Sequence, residues 1–509
     1  MEFSLVGALR PEDGPVRIGV IGAGPSGLST AAVLQEFGHE VVVFEKAPDV
    51  GGVWSSTRAY PGLSTQDTRV TYAFSDFPMP ADFPEHPTGA HVRSYLEGYA
   101  RAKGVLDRVR LDTRVESAAP TADGAGWTVQ VTGPDGPSTV DVDWLVVANG
   151  VFSTPNVPSW PGRAAFEAHG GQVLLPTELG DGAALAGNRV LVVGWGKTAC
   201  DIAAQSSRTA RSTTVVARTL RWKIPKRIAG GLTFRHLLLT RLGEHLLTAS
   251  RKELLGLVDW PVRRAAIWLL RARIARRLQL PALGMVPTEP LPWSDSLVTE
   301  GFFEAVADER IDVRREQSVQ ELGAADGVAG VRLSDGSWLP TDVVVAATGF
   351  DQDLSFLAAP VRAALVDSDG TLHLQRRILP LHVPQLAFAG WGHTYRSPLT
   401  AEIGAVWLAA HLAGALVQGP GRSTPERYHL TNARARALGE AQVPSGSFKA
   451  LDALLDDLGL PLPADVRRRQ WTQPLDPASY AYLVPALRRR LTATAPAGRG
   501  SVPLQPAAG

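Results

Sequence analysis

Cysteine is almost absent from this sequence: Cys200 is the one cysteine among 509 residues. A lone cysteine cannot form an intrachain disulfide, a CxxC redox pair or a cysteine-rich metal site. A disulfide reductase is therefore excluded, no metal is predicted, and we expect a cytoplasmic location in which the thiol stays reduced.

Long hydrophobic runs are also missing. The longest apolar stretch, residues 403–417, is interrupted by His411 and is shorter than the roughly 20 residues that a membrane-spanning helix needs. The first residues lack the basic and apolar regions of a signal peptide, so we expect a soluble protein.

Neither sign of charge is in excess, because 51 basic residues face 50 acidic ones and the formal net charge is +1. This balance does not indicate nucleic acid or a strongly acidic partner. The length and the 45% hydrophobic content are typical of a globular protein with two or three packed units.

Glycine, in contrast, marks two similar turns. The first follows the apolar run "VRIGVIG" (16–22) and leads into a helical pattern over 25–38, with Gly22, Gly24 and Gly27 at the junction. The first glycine allows the tight turn, the second lets a pyrophosphate approach the backbone, and the third allows helix and strand to pack closely. This pattern predicts a strand, a turn and a helix that bind a dinucleotide.

A further strand is predicted over 40–46, and near its end stands Glu45. A carboxylate at this point accepts hydrogen bonds from both ribose hydroxyls of an adenosine and repels a 2′-phosphate. The first site is therefore predicted to bind an unphosphorylated adenosine, as in FAD.

The second turn lies in "RVLVVGWGKTACDIAAQ" (189–205), where Gly194, Gly196 and the small Ala199 precede a helix. The next predicted strand, 213–218, ends in Arg218. Further cations follow closely: Arg221, Lys223, Lys226 and Arg227. A cation where the first copy has a carboxylate attracts a 2′-phosphate, so this site is predicted to bind NADPH. A solvated surface patch is the alternative interpretation of the cations.

Other segments resemble the flavin-containing monooxygenases, the class B enzymes that keep FAD and NADPH on one chain and are related to Baeyer-Villiger and N-hydroxylating enzymes. The segments are "FEKAPDVGGVW" (44–54), residues 62–115 and "VVVAATGFDQDLSFL" (343–357). The resemblance implies an α/β fold with two Rossmann-like dinucleotide-binding domains, the NADPH domain inserted into the FAD domain. The predicted bounds are 1–157 and 342–485 for the FAD domain and 158–341 for the NADPH domain.

The turns and the resemblance together assign residues to each cofactor. We expect the following residues to bind FAD: Gly22, Gly24, Pro25, Ser26, Gly27, Glu45, Lys46, Gly52, Val53, Trp54 and Val115. We expect the following to bind NADPH: Gly194, Trp195, Gly196, Lys197, Thr198, Arg218, Thr348 and Gly349.

In enzymes of this family NADPH reduces the flavin, oxygen adds as a flavin C4a-hydroperoxide, and one oxygen atom passes to the substrate. The resemblance thus implies a monooxygenase acting on a small or medium organic molecule, at nitrogen or sulfur. Alternatives are Baeyer-Villiger or carbon oxygenation, an NADPH oxidase that releases hydrogen peroxide, and a flavin-binding sensor without enzymatic activity. The substrate itself is not predicted by any motif.

Asp67 departs from the family pattern, in which an asparagine commonly stands near the reactive face of the flavin. An ionised carboxylate only accepts hydrogen bonds and is repelled by a reduced flavin. Three interpretations stay open: Arg69 or bound NADP⁺ neutralises Asp67, burial raises its pKa so that it donates, or the enzyme releases peroxide. Asp67 and Arg69 are the predicted catalytic residues, and a loop position away from the flavin is the alternative for Asp67.

A helical insert is predicted over 228–285. Its segment 261–280 forms an amphipathic basic helix with arginines largely off the apolar face. Packing on the core is the favoured interpretation, and contact with a membrane surface is the other. Residues 492–509 have low complexity and are predicted to be disordered.

Overall fold

The computed structural model describes residues 15–248, 259–289, 291, 296–392, 394–417, 424–438 and 447–494. The first part of the chain forms β1 (Arg17–Ile21), α1 (Pro25–Glu36), β2 (Glu40–Phe44), α2 (Gly89–Ala102), β3 (Val109–Arg110), β4 (Arg114–Pro120), β5 (Trp127–Gly133), β6 (Gly136–Val142), β7 (Trp144–Val147) and β8 (Thr154–Pro155).

The middle of the chain forms α3 (Arg163–Ala168), β9 (Gln172–Leu174), β10 (Arg189–Val193), α4 (Lys197–Ser206), β11 (Ser212–Ala217), β12 (Lys223–Ile224), β13 (Arg227–Ala229), β14 (Leu232–Thr233), α5 (Phe234–Leu238), α6 (Arg241–Thr248), α7 (Asp259–Arg277), β15 (Ser296–Leu297), α8 (Phe302–Ala307), β16 (Ile311–Arg315), β17 (Val319–Ala325), β18 (Val328–Leu333), β19 (Trp338–Pro340) and β20 (Val343–Ala346).

The last part forms β21 (Phe350–Asp351), α9 (Ala359–Leu365), β22 (Thr371–Gln375), β23 (Leu379–Pro380), β24 (Leu386–Phe388), α10 (Ser397–Leu412), β25 (Glu426–His429), α11 (Asn432–Leu438), α12 (Phe448–Leu458), α13 (Ala464–Arg469) and α14 (Leu483–Thr494).

The first large sheet has five parallel strands in the order β24-β7-β1-β2-β3, so it combines strands from both ends of the chain. β1 and β2 are buried after their first residue, which agrees with their unbroken apolar sequence because parallel strands are covered on both faces. α1 packs against α10, and Leu28 and Trp407 belong to the same buried core.

The second large sheet is also parallel, in the order β16-β11-β10-β20-β9. It corrects one predicted boundary. Residue 342 was expected to begin the return to the FAD domain, but β20 pairs with β10 from Val190↔Val343 to Val193↔Ala346. The chain leaves this sheet only after β20.

Both sheets are built in the same order along the chain. In each, a strand, a helix and a parallel strand are followed by an outer strand, a three-stranded antiparallel sheet and a strand that returns to pair with the first one. The antiparallel sheets are β4-β5-β6 in the first unit and β17-β18-β19 in the second. The two glycine turns therefore occupy equivalent places.

The two chain crossings between the units lie side by side. β8 pairs antiparallel with β21, and Asn156 Nδ2 donates to Asp351 Oδ2 at 3.0 Å. Gln352 Nε2 donates to the carbonyl oxygen of Val151 at 2.7 Å. The crossings thus form one hydrogen-bonded ribbon.

The predicted insert contains α5, α6 and α7, while residues 249–258 lie outside the described part. Ile274 of α7 and Leu278 directly after this helix are buried in the core of the second unit, as the packing interpretation expects. Trp268 and Leu269 on the same helix are 67% and 56% exposed. Arg241 of α6 forms paired hydrogen bonds with Asp452 of α12 at 2.7 and 2.8 Å, which attaches the insert to the C-terminal helices.

The C-terminal end differs in part from the prediction. Residues 492–494, expected to be disordered, complete α14, and 495–509 lie outside the described residues. The long apolar stretch belongs mainly to α10, a buried helix of the first unit. Across the described residues, no helix combines the length and apolar character that a bilayer crossing requires.

Candidate active site

The first glycine turn joins β1 to α1 with little free space. Gly22 has φ 106°, and a Cβ on Gly27 would lie 1.8 Å from the carbonyl oxygen of Gly22. Side chains are therefore excluded at both positions, and the N-terminus of α1 is brought to the end of the strand. Pro25 begins the helix, where its missing N–H is not needed.

Glu45 directly follows β2 and is 7% exposed. Its Oε2 accepts from the backbone N–H of Ala23 at 2.7 Å, and its Oε1 accepts from that of Ala47 at 2.9 Å. The carboxylate is thereby oriented beside the turn. The loop after it folds closely over the turn, since a Cβ on Gly52 would lie 2.9 Å from the Cα of Gly24.

The second glycine turn joins β10 to α4 in the same way. Gly194 has φ 137°, and a Cβ there would lie 2.2 Å from the carbonyl oxygen of Ala347. A Cβ on Gly196, in contrast, would meet nothing within 4 Å. The backbone at the start of α4 is therefore open to a ligand, and a helix N-terminus favours phosphate.

Arg218 follows β11 directly and is exposed. The neighbouring cations divide into two groups. Arg221 also lines the cavity described below. Lys223 is buried with its Nζ 5.7 Å from the centre of the Trp195 ring, and Lys226 forms an ion pair with Glu300 at 3.0 Å.

One cavity of about 1570 Å³ contains both turns. The predicted FAD residues that line it are Gly22, Gly24, Pro25, Ser26, Glu45, Lys46, Gly52, Val53, Trp54 and Val115. All the predicted NADPH residues line it as well: Gly194, Trp195, Gly196, Lys197, Thr198, Arg218, Thr348 and Gly349. Gly27 does not, because it packs against the turn from behind.

Asp67 lines this cavity and is 1% exposed. Its Oδ1 accepts from the N–H of Thr68 at 2.7 Å, and its Oδ2 has no hydrogen-bond partner within the described residues. Burial raises the pKa of Asp67 to about 7, against the opposing charges of Arg235 and Arg396. The carboxyl can therefore both hold and release a proton near neutral pH.

Arg69, the second predicted catalytic residue, does not line the cavity that Asp67 lines. Its backbone N–H donates to the carbonyl oxygen of Glu85 at 2.9 Å. The cations that act on the Asp67 pKa are Arg235 from the insert and the buried Arg396 just before α10.

Sequence reasoning missed two sets of residues. Arg235 donates to Thr71 Oγ1 at 3.0 Å, and no motif marks it. Tyr60 lines the cavity and donates to Asp201 Oδ2 at 3.3 Å. One local signal in the sequence marks this second set. Asp201 stands four residues after Lys197, and ion pairs at this spacing are typical of helices.

A sequence profile described as flavin-binding monooxygenase-like matches residues 15–437. The chain belongs to the flavin-binding monooxygenase-like family. This flavin-binding monooxygenase is 27% identical over 443 residues to the probable flavin-containing monooxygenase 1 of Arabidopsis thaliana, covering 77% of this chain and 81% of the relative. It is 25% identical to flavin-containing monooxygenase 1 of Homo sapiens, covering 78% and 74%.

Solved structures share the fold of this monooxygenase. Cyclohexanone monooxygenase in an open form superposes with a TM-score of 0.63 at 19% identity, covering 94% of this chain and 98% of that one. Steroid monooxygenase bound to NADP gives a TM-score of 0.62 at 19% identity over 94% and 97%. The S-allyl-L-cysteine S-oxygenase of Allium sativum gives 0.56 at 19% identity over 94% and 99%.

These findings confirm the predicted fold class and the flavin-dependent monooxygenase class, with its cofactors. The chain's own geometry fits two dinucleotides: each turn exposes a helix N-terminus, Gly196 leaves open space, and the close approach of Gly24 and Gly52 needs two glycines. The assignment of individual residues to each cofactor stays a prediction.

Proposed function

We propose that this flavin-binding monooxygenase is a cytoplasmic enzyme that uses FAD, NADPH and O₂ to oxygenate a small or medium organic molecule at nitrogen or sulfur. The observation that carries the proposal is the cavity that contains both glycine turns. Two dinucleotides bound at these turns can approach each other within it, with no protein between them. When bound, the flavin accepts hydride from NADPH and supplies the oxygen-transfer chemistry.

The residues of the chain bind and orient the reactants. Glu45 accepts from the adenosine ribose of FAD, and Arg218 pairs with the 2′-phosphate of NADPH. Asp67, with a pKa of about 7, holds or releases a proton beside the reacting groups.

A nitrogen or sulfur atom already carries the lone pair that attacks an electrophilic oxygen, so such a substrate needs no base from the protein. Asp67 is the one acid that the site prediction places at the reacting centre. Two of the related proteins support this substrate class by name, a human dimethylaniline monooxygenase described as N-oxide-forming and the Allium S-oxygenase.

Asp67 also favours a second candidate function. In its ionised form, the Asp67 carboxylate would repel electron-rich groups held near it and would shield a bound flavin poorly, a condition that favours release of hydrogen peroxide over oxygen transfer. The NADPH oxidase alternative therefore competes most strongly at high pH, where Asp67 is ionised.

The test supplies the FAD-loaded protein with NADPH and O₂ and, in turn, a tertiary amine, a thioether and a cyclic ketone. We expect N-oxide or sulfoxide to account for most of the NADPH consumed. Lactone from the ketone alone would establish Baeyer-Villiger oxygenation instead. Stoichiometric peroxide with every compound would establish the oxidase, and a flavin that NADPH does not reduce would refute both.

A further inference from the structure

Asp201 is a buried carboxylate that joins three separate parts of the chain. It lies in α4 and is 1% exposed. It forms an ion pair with Lys197, accepts from Thr299 Oγ1 at 2.6 Å and accepts from the Tyr60 hydroxyl at 3.3 Å. Burial of a charge is costly unless it is paired and hydrogen-bonded, and Asp201 meets both conditions.

The three partners come from three separate segments that belong to both units. Tyr60 belongs to the loop that follows β2 in the first unit, and Lys197 begins α4 in the second. Thr299 belongs to the segment by which the insert returns to the second sheet, and Leu297 beside it donates to Gln66 Oε1 of the first unit at 2.8 Å. Asp201 is therefore the centre of a contact between the units.

Two of the three partners of Asp201 face the cavity, while Asp201 itself does not. Lys197, Thr198 and Tyr60 all line the cavity. Lys197 and Thr198 are the first two residues of α4, the place where a helix N-terminus binds phosphate. Thr198 Oγ1 also donates to the Tyr60 hydroxyl at 3.4 Å. Asp201 thus contacts the ligand-facing groups without lining the cavity itself.

We propose that Asp201 and Tyr60 are positioning residues for the nicotinamide dinucleotide. Asp201 holds the Lys197 ammonium in one place and neutralises it, and Tyr60 connects the start of α4 to the first unit. The second nucleotide is thereby aligned with the first. The inference deepens the proposed function and rests on it, because alignment matters only if hydride passes between the two.

The contacts predict that substitutions at these residues slow hydride transfer without weakening the binding of NADP⁺. Tyr60→Phe removes the hydroxyl that contacts Asp201 and Thr198 but keeps the ring and adds no charge. NADP⁺ affinity then stays near the wild-type value, while misalignment slows hydride transfer by about ten-fold or more. Asp201→Asn leaves the Lys197 charge without its partner, so NADP⁺ binds at least as tightly although reduction is slower.

The experiment measures both quantities on FAD-loaded protein. Calorimetry gives the Kd of NADP⁺ for the oxidised enzyme, and anaerobic rapid mixing gives the rate of flavin reduction at saturating NADPH. Asp342→Asn is the matched control, since it breaks an ion pair of the same unit, with Arg189, at the opposite end of the second sheet. We expect both quantities to be unchanged in the control.

The outcomes distinguish this inference from the proposed function. If NADPH does not reduce the wild-type flavin, the proposed function fails, and the inference fails with it. If wild type is reduced and Tyr60→Phe is reduced equally fast, only the inference fails. Weaker NADP⁺ binding in Asp201→Asn, in parallel with slower reduction, would show a merely structural role.

Discussion

Replacing Asp67 by asparagine should stabilise the protein at alkaline pH, and the reason is the environment of the carboxyl. The pKa of Asp67 rises from an ordinary value of 3.8 to about 7, chiefly through burial. Well below pH 4 the group is protonated whether the chain is folded or unfolded, so folding is not penalised. As the pH rises toward 7 the unfolded chain ionises and the folded one resists, so the wild type loses stability.

The size of this loss follows from the pKa difference. About 3 pKa units correspond to about 4 kcal/mol in the free energy of unfolding, of which about 3 kcal/mol develops between pH 5 and pH 8. The asparagine side chain of the variant has no proton to lose. The advantage of Asp67→Asn over wild type should therefore grow with pH over this interval and become constant above it.

Urea unfolding of both FAD-loaded proteins in parallel, followed by tryptophan and flavin fluorescence from pH 5 to pH 9, measures this difference. Asp342→Asn is the control, because the hydrogen bonds from Arg189 hold the pKa of Asp342 below its usual value and the group stays ionised throughout. Its effect should not vary with pH. A pH-independent difference between wild type and Asp67→Asn would refute the reasoning and show that Arg235 and Arg396 keep Asp67 charged.

Three further predictions concern the cofactor sites. Gly196→Ala should keep the wild-type melting temperature, since its Cβ meets nothing within 4 Å, but should raise the Kd of NADP⁺ measured by calorimetry; unchanged affinity would contradict the placement of the phosphates. Gly27→Ala should lower the FAD content seen by absorbance, because its Cβ would lie 1.8 Å from an oxygen, and full FAD loading would argue against this packing. Arg218→Ala should raise the KM for NADPH about ten-fold or more and leave that for NADH unchanged, whereas equal effects on both would exclude a 2′-phosphate contact.

The sequence predicts the two turns closely because their pattern is local. The strand predicted over 40–46 is observed as Glu40–Phe44, and Glu45 stands directly after it. Arg218 similarly follows the observed β11. In both cases, an apolar run defines the strand, and the first polar residue marks the edge of the sheet where a ligand binds.

The surroundings of Asp67 could not be predicted in the same way. Arg235 and Arg396 are far from Asp67 in sequence and reach it only through the packing of the insert and of α10. Arg69, in contrast, is two residues away, but its backbone pairs with Glu85, and its side chain is not among the charges that act on Asp67. In a loop, nearness in sequence does not predict which charges act on a residue, because no helical or strand periodicity fixes the directions of its side chains.

The ribbon of β8 and β21 has a mechanical consequence. A body joined by two separate tethers has its orientation restricted by both, but the two crossings here are hydrogen-bonded to each other and act as a single connection. A single connection by itself restricts rotation of one unit relative to the other about the ribbon axis only weakly. Contacts elsewhere on the boundary oppose that rotation, among them Tyr60 with Asp201, Leu297 with Gln66 and Arg241 with Asp452. The Tyr60 hydroxyl is thus one of several side-chain groups that bear on the relative angle of the two sheets, and the one nearest to the start of α4.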